Sequence, residues 1–444
     1  MALMVGISGV RGLVGETLTP ALALEFARAY GTVLGGGRVV LGRDSRPSGE
    51  MYAAAVTAGL LSTGCEVTQL GLVMTPTVGR TIREGGYDGG MCITASHNPG
   101  QWNGLKFFDQ QGAAPATASA QRIVATRNAG EFRQIKNGFN TIRTDAKAGQ
   151  RHVQAVLDAV ETDLKPLAGM TVVLDSVNGA GCLDSPALLE GFGCRLHQLN
   201  GTPTGEFAHP PEPVRENLTD LCEAVPKAGA AVGFAQDPDA DRLAIVDETG
   251  RYIGEEYTLV LAAQAVLMNR PGPVATNLST SRMLDDVAAR YGAHVVRTPV
   301  GEAHVVQATL ESGCVLGGEG NGGVIDPRIC LVRDSLSGMS LVLQLLAATG
   351  KTISQLVADM PSYTSIKQKF PCPRARIATA VTAVTNAFAE YQPNTTDGVR
   401  VDLPQGWVHV RASNTEPIIR IIAEGTQPAD AEKLVARVRE ITGL

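Results

Sequence analysis

The sequence predicts an α/β protein: three related α/β domains with mixed sheets, followed by a smaller α+β domain. Three observations carry this. A chain of 444 residues is too long for one ordinary hydrophobic core and suggests roughly three domains. Along most of it, short β-branched runs alternate with segments of helical periodicity, the pattern of α/β units with largely buried sheets. The last stretch breaks that alternation with a helix, three strands and a closing helix. The expected domains are 1–149, 150–253, 254–366 and 367–444, with no tandem repeat of the ~20–50-residue kind.

The elements follow in order. Thr19-Pro20 opens a helix through Tyr30, with Thr19 as N-cap and Pro20 in the first turn, where its missing N–H costs nothing. A strand over 38–41 leads into Gly42-Arg43-Asp44-Ser45-Arg46, and a strand over 89–94 ends on a polar turn. An amphipathic helix over 151–164 closes the first domain. The second has a strand over 170–174, the turn 175–181, and a hairpin over 243–253 turned at Glu248-Thr249-Gly250. The third begins near Glu255 with a helix through Met268, then a strand over 274–276 and a helix over 281–291 capped by Ser279. After Phe370-Pro371-Cys372-Pro373 come a helix over 377–390, strands over 398–402, 406–411 and 418–424, and a helix from Pro428 onward.

Composition narrows the function classes. A chain 44% apolar and 18% charged is globular, and its 50 Gly and 24 Pro suit many strand-to-helix turns. Net charge is −6 and no Lys/Arg block stands out, which argues against nucleic-acid or membrane-surface binding, so any cationic site is local. The eight cysteines (65, 92, 182, 194, 222, 314, 330 and 372) form no C-x-x-C pair, and most lie in apolar runs, so they read as buried reduced thiols. The start of the chain lacks a basic region and no apolar run is long enough to span a bilayer, so a cytoplasmic protein is expected.

Four stretches carry the chemistry. Cys92-Ile93-Thr94-Ala95-Ser96-His97-Asn98-Pro99 puts a hydroxyl nucleophile on a polar turn after an apolar strand, with the cation Lys106 ten residues on. Such a serine can carry a phosphoryl group if a metal and positive charges surround it. Asp237, Asp239 and Asp241 alternate on an extended segment and can converge on one hard cation; Mg²⁺ favours few carboxylates plus a phosphate oxygen. Gly318-Glu319-Gly320-Asn321-Gly322-Gly323 allows close backbone approach, with Glu319 able to accept hydrogen bonds from sugar hydroxyls. Arg411, Ser413, Asn414, Thr415 and Arg420 suit a cradle for a phosphate.

With Gly6-Ile7-Ser8-Gly9-Val10-Arg11-Gly12, these blocks stand in the order found in the α-D-phosphohexomutases, and the chain resembles that family over essentially its whole length. The resemblance implies four domains around a central cleft and transfer of phosphate between C1 and C6 of a hexose through a phosphoserine, here Ser96, and a 1,6-bisphosphate intermediate. It implies Mg²⁺ on Asp237, Asp239, Asp241 and the phosphoserine, with a hexose 1,6-bisphosphate as activator. Arg11, Lys106 and His97 fall near the transferred phosphate, Arg242 with the substrate. Thr298-Pro299-Val300-Gly301-Glu302 resembles the sugar-specificity loop, and Glu319 and Asn321 belong to the loop that binds the 3- and 4-hydroxyls. Many members carry Ser where this chain has Asn321 and His where it has Gly323, so that His cannot act as proton shuttle here; nearby His304 is a candidate substitute. The expected partner is a hexose phosphate, bound by a monomer or homodimer. Glucosamine phosphate is the expected sugar, from the form of the 318–323 loop; the Ser413-Asn414-Thr415 form points instead to mannose or glucose phosphate.

Other readings fit less well. A serine hydrolase would need a G-x-S-x-G elbow, which is missing around Ser96. An EF-hand from Asp237 to Glu248 has Arg242 where glycine is required. Gly318, Gly320 and Gly323 satisfy G-x-G-x-x-G, but the extended Val324-Ile325-Asp326-Pro327 follows where a dinucleotide site needs a helix. Gly350-Lys351-Thr352 resembles a P-loop end, but the upstream glycine is Leu345, so a helix end is expected. Trp102 and Trp407 read as packing residues. A non-catalytic phosphosugar-binding paralogue stays open, supported by the altered 319–323 loop alone.

Overall fold

The computed structural model describes residues 3–413 and 417–444. The first unit holds strands β1 (Met4–Gly6), β2 (Gly9–Leu13), β3 (Gly37–Arg43), β4 (Cys65–Leu72), β5 (Gly89–Ile93), β6 (Trp102–Phe108) and β7 (Ile142–Thr144). They form one mixed sheet in the order β1-β2-β6-β5-β3-β4-β7. Helices α1 (Pro20–Leu34), α2 (Gly49–Ser62), α3 (Thr75–Gly85) and α4 (Thr117–Ala129) accompany it, and α5 (Ala148–Asp158) leads onward. The second unit has β8 (Thr171–Asp175), α6 (Gly181–Gly191), β9 (Arg195–Leu199), α7 (Thr219–Lys227), β10 (Val232–Gln236) and β11 (Leu243–Asp247), with sheet order β11-β10-β8-β9. The third has α8 (Glu256–Asn269), β12 (Val274–Asn277), α9 (Met283–Arg290), β13 (Val295–Thr298), α10 (Glu302–Glu311), β14 (Leu316–Glu319), β15 (Gly323–Ile325), α11 (Ser335–Thr349) and α12 (Ile353–Ala358). Its sheet order is β13-β12-β14-β15.

These three sheets share one plan. Each has three parallel strands and then an antiparallel neighbour: β4-β3-β5 with β6, β9-β8-β10 with β11, and β13-β12-β14 with β15. Parallel partners need a long crossover, whereas an antiparallel partner can follow after a short loop. That short loop emerges at the carboxyl ends of the parallel strands, where open α/β sheets present ligand-binding loops. The three loops are 94–101, 237–242 and 320–322. They hold Ser96, the three aspartates and Asn321, with Glu319 closing β14, so three motifs distant in sequence occupy one equivalent position.

The last unit is α+β: β16 (Thr364–Pro371), α13 (Arg374–Ala387), β17 (Val399–Leu403), β18 (Gly406–Ala412), β19 (Ile418–Gly425) and α14 (Pro428–Thr442). Its sheet runs β16-β19-β18-β17, antiparallel throughout. One apolar core reaches from Val40 through Leu174 and Val260 to Met360, whereas the last unit has its own around Val384, Ile419 and Leu434. No helix among the described residues is long and apolar enough to cross a membrane.

Several local expectations change. The helix expected over 151–164 ends at Asp158, and α1 continues past Tyr30 to Gly35, whose left-handed φ of 75° closes it. The hairpin over 243–253 forms with a short return arm: after β11 the chain turns at 248–250, Asp247 N–H donates to the Arg251 carbonyl and Ile253 N–H to that of Ile245, and Tyr252 bridges Val246, while β11 itself pairs with β10. Ser279 caps no helix, since α9 starts at Met283, and its hydroxyl instead lies 2.9 Å from His409 Nδ1 of the last unit. β16 is unforeseen: it is an edge strand of mostly polar residues ending in Pro371, a residue tolerated only at such an edge or end. At Gly350-Lys351-Thr352, Gly350 ends α11 and Thr352 caps α12 in a capping box with Gln355. Among the described residues all eight cysteines are free, and Trp102 and Trp407 are buried.

Asp334 ties the first and third units together. It caps α11 by accepting from the N–H groups of Leu336 and Ser337, and it lies 3.2 Å from His152 Nε2, whose Nδ1 is 3.0 Å from Thr77 Oγ1. Burial pushes the Asp334 carboxyl up, but His152 and the Ser337 groups outweigh this and hold it below the ordinary range. A depressed folded pKa means stabilisation present above the unfolded value of about 3.9 and lost as pH falls through the folded value. Asp334→Ala is expected to cost about 2–4 kcal/mol by chemical denaturation at neutral pH. The gap from wild type should shrink towards acid; a gap independent of pH would contradict the assignment.

Candidate active site

The loop after β5 turns at Ser96, which is buried and adopts φ 50°, uncommon for a residue with a Cβ. Its N–H donates to Thr94 Oγ1 at 2.8 Å, and its carbonyl accepts from Arg46 Nη2 at 2.7 Å. Arg46, fully buried, donates also to the carbonyls of Asn98, Pro99 and Trp102 at 2.6–2.9 Å, and through Nε to Asp44 at 3.1 Å. Phe207 of the second unit lies over the guanidinium at 4.9 Å. Arg46 is thus the template of the serine turn. In the sequence Arg46 stands only as part of a strand exit; its one signal is a dense charged run directly after a buried strand.

Ser96 Oγ donates to Asp237 Oδ2 at 2.9 Å. Asp237 Oδ1 accepts from the N–H groups of Asp241 and Arg242, both at 3.1 Å, which shapes the 237–242 loop. The three aspartates are fully buried, with potential ligand atoms within 4.8 Å of one another. Asp239 Oδ1 and Asp241 Oδ1 have no hydrogen-bond partner among the described residues. Burial, then the charges of Asp241 and Asp239, push Asp237 well above the ordinary carboxylate range. Orphaned oxygens in a group of like charges fit a hard divalent cation.

Cations from all three units surround this cluster. Lys106 Nζ reaches Asp239 at 2.6 Å and Asp241 at 2.8 Å; burial opposes its charge, but the two aspartates prevail and raise its pKa. Arg11, on β2, faces Gly104 in the pairing with β6 while Gly9 faces Lys106, so Arg11 and Lys106 share a face of the sheet. Arg11 Nη1 donates to Asn98 Oδ1 at 3.2 Å. Arg242 lies 3.6 Å from Glu212. His97 Nδ1 is 3.4 Å from Ser96 Oγ; burial, then Arg242 and Arg11, lower its pKa to about 2, so the imidazole is neutral.

Arg333 is the second unforeseen residue. Its Nη2 donates to Asp241 at 2.8 Å, its Nη1 to Glu319 at 2.9 Å, and its Nε lies 2.9 Å from Glu302. Burial opposes the charge of Asp241, but Arg333, Lys106 and Arg242 outweigh it and hold Asp241 below the ordinary range. A Cβ on Gly323 would come within 2.1 Å of Arg333 Cδ, so Arg333 and a side chain at 323 exclude one another. Glu319 Oε1 also accepts from Asn277 at 2.9 Å, and Asn321 Oδ1 is buried without a partner among the described residues. Gly301 has φ 136° and starts α10, whose first turn carries Glu302 and His304.

In the last unit Arg411 and Arg420 stand directly opposite each other on β18 and β19, and Lys369 of β16 stands opposite Arg420. Like charges facing across strands repel unless an anion joins them. Lys369 gives no signal in the sequence because the edge strand that carries it, β16, lacks apolar alternation. The Ser413 N–H donates to the Ile418 carbonyl at 3.0 Å, whereas Asn414 and Thr415 lie outside the described residues.

Comparison with known proteins places this arrangement. Profiles described as phosphoglucomutase/phosphomannomutase alpha/beta/alpha domains I, II and III match residues 2–134, 150–250 and 254–363, and the C-terminal domain profile matches 369–441. A Methanopyrus kandleri protein described as a probable phosphoglucosamine mutase is 39% identical over 97% of this chain and 95% of its own. A Thermococcus kodakarensis phosphoglucomutase/phosphomannomutase is also 39% identical, over 98% and 97%. The crystal structure of a phosphoglucomutase/phosphomannomutase family protein from Burkholderia thailandensis superposes with a TM-score of 0.87 at 26% identity, covering 99% of this chain and 98% of that one. The fold is that of a phosphohexomutase. The chain belongs to the phosphoglucomutase/phosphomannomutase family.

Arg46→Met keeps much of the side-chain volume but strands four carbonyls and Asp44, and is expected to destabilise by about 3–5 kcal/mol. Thermal and chemical denaturation check this; an unchanged midpoint would mean that the serine turn holds itself.

Proposed function

We propose that the protein is a Mg²⁺-dependent phosphohexose mutase working through phosphoserine at Ser96. The observation that carries this reading is the hydrogen bond from Ser96 Oγ to Asp237, inside a buried aspartate cluster ringed by Lys106, Arg11, Arg242 and Arg333. The phosphoryl on Ser96 passes to the free hydroxyl of a hexose monophosphate, yielding a 1,6-bisphosphate. The sugar turns over and its other phosphate returns to Ser96 Oγ. A cation held by Asp237, Asp239 and Asp241 would neutralise charge on the transferring phosphoryl group.

The chain's own residues do the rest. Arg46 holds the nucleophile in its turn. Lys106 and Arg11 offset the phosphate's charge from the sheet face they share. Neutral His97 stays within reach of Ser96 Oγ. Glu319, Asn321, Gly301, Glu302 and Arg242 bind the sugar, the two glutamates being aimed by Arg333. Arg411, Ser413, Asn414, Thr415 and Arg420 grip the phosphate that is not reacting. This set must accept two poses of one sugar, which favours a few hydroxyl acceptors and a charged cradle over a shape-fitted pocket.

Glucosamine phosphate is the substrate favoured by the form of the 318–323 loop and by the description of the Methanopyrus relative. Glucose or mannose phosphate is favoured by the Ser413-Asn414-Thr415 form and by the Thermococcus relative. Mutase assays on glucosamine 6-phosphate, mannose 1-phosphate and glucose 1-phosphate, with Mg²⁺ and a trace of hexose 1,6-bisphosphate, are expected to show fastest turnover of the amino sugar. Chelation should stop turnover and Mg²⁺ restore it. Ser96→Ala should reduce turnover by roughly 10⁴-fold or more while calorimetry still detects phosphosugar binding; an active Ala variant would sink the phosphoserine mechanism.

A further inference from the structure

Asp397, in the turn before β17, joins two loops that the sequence treats separately. Its Oδ2 accepts from the N–H of Val300 at 3.0 Å, in the 298–302 loop of the third unit. The same oxygen lies 3.0 Å from Nε of Arg411, in the last unit. Its carbonyl accepts from His409 Nε2 at 2.7 Å, and His409 Nδ1 meets Ser279 Oγ of the third unit at 2.9 Å. Gly398, next in sequence, has φ 68°, and a Cβ there would lie 2.2 Å from the Val410 carbonyl and 3.0 Å from Arg411 Cβ. A side chain at 398 therefore has no room beside the arginine's backbone.

We propose that Asp397 is a positioning residue for phosphate recognition: its ion pair holds the Arg411 guanidinium in place and ties it to the 298–302 sugar loop. The inference rests on the phosphosugar reading above. A guanidinium is planar and forked; the carboxylate lies against its Nε side as an ion pair, without a hydrogen bond among the described residues, which leaves the Nη1/Nη2 edge as the paired donor for an anion. Without the carboxylate, phosphate would have to immobilise a long, rotatable side chain on binding. Because Val300 shares the same oxygen, the phosphate cradle and the sugar loop are set by one group, although they belong to different units with separate cores.

A bare charge account makes the opposite prediction. A carboxylate beside Arg411 repels an incoming phosphate, so removing it should tighten anion binding. Asp397→Asn separates the two, since asparagine keeps an acceptor for Val300 N–H and loses the charge that holds Arg411. Inorganic phosphate binding to the full chain, measured by calorimetry, is expected to weaken by about tenfold in Asp397→Asn. KM for the hexose phosphate should rise by a similar factor, with kcat changed less. In an Arg411→Ala background, Asp397→Asn should add nothing further. Unchanged or tighter phosphate binding would overturn the proposal, as would the same loss in the Arg411→Ala background. Phosphate binding is read without turnover, so an inactive wild-type chain would count against the mutase reading alone.

Discussion

Three buried carboxylates within 4.8 Å of each other are the constraint on which the rest of the structure depends. Burying one unpaired charge costs several kcal/mol, and burying three together costs more. The fold compensates with cations from each α/β unit: Lys106 and Arg11 from the first, Arg242 from the second and Arg333 from the third. Two carboxylate oxygens still lack partners among the described residues. The charge balance is thus complete enough to fold and leaves oxygens open to a cation, with Ser96 Oγ hydrogen-bonded at its edge.

The repeated sheet plan explains how the cluster is assembled. Ser96 and Asp237 are 141 positions apart, yet both lie in the loop between the third parallel strand and its antiparallel neighbour. When three such units pack around one apolar core, these loops converge. The last unit contributes differently. It has its own core and meets the third through polar side chains: Arg400 donates to Leu278, Arg282 to the carbonyls of Leu403 and Gly406, and Lys367 to Glu255. A polar contact of this kind can open and re-form at lower cost than an apolar one. That suits the proposed role of this unit, in which a phosphate cradle releases a sugar that turns over.

The sequence made the chemistry legible where it is concentrated in short runs. Ser96-His97-Asn98-Pro99, the alternating aspartates and the Gly-rich loop each stand out because polar groups and glycines interrupt apolar strands. The α/β alternation was equally plain, since β-branched runs and helical periods dominate the first three units. What escaped acts through tertiary contact. Arg333 looks like an ordinary charge before a helix cap, and only packing brings it to Glu302, Glu319 and Asp241. Arg46 looks like a surface residue after a strand, yet it is fully buried. Ser279 has the chemistry of an N-cap, but its hydroxyl is claimed by His409, 130 positions away. β16 is too polar to show the alternation of a half-buried strand, because an edge strand needs little apolar surface.

The central claim is that phosphate passes through Ser96, and mass spectrometry of the intact chain and its peptides tests this most directly. After incubation with hexose 1,6-bisphosphate and Mg²⁺, a single phosphoryl group should map to Ser96 and disappear when excess hexose monophosphate is added. A stable phosphate at Ser96 that the sugar cannot remove, or label on another residue, would contradict the account.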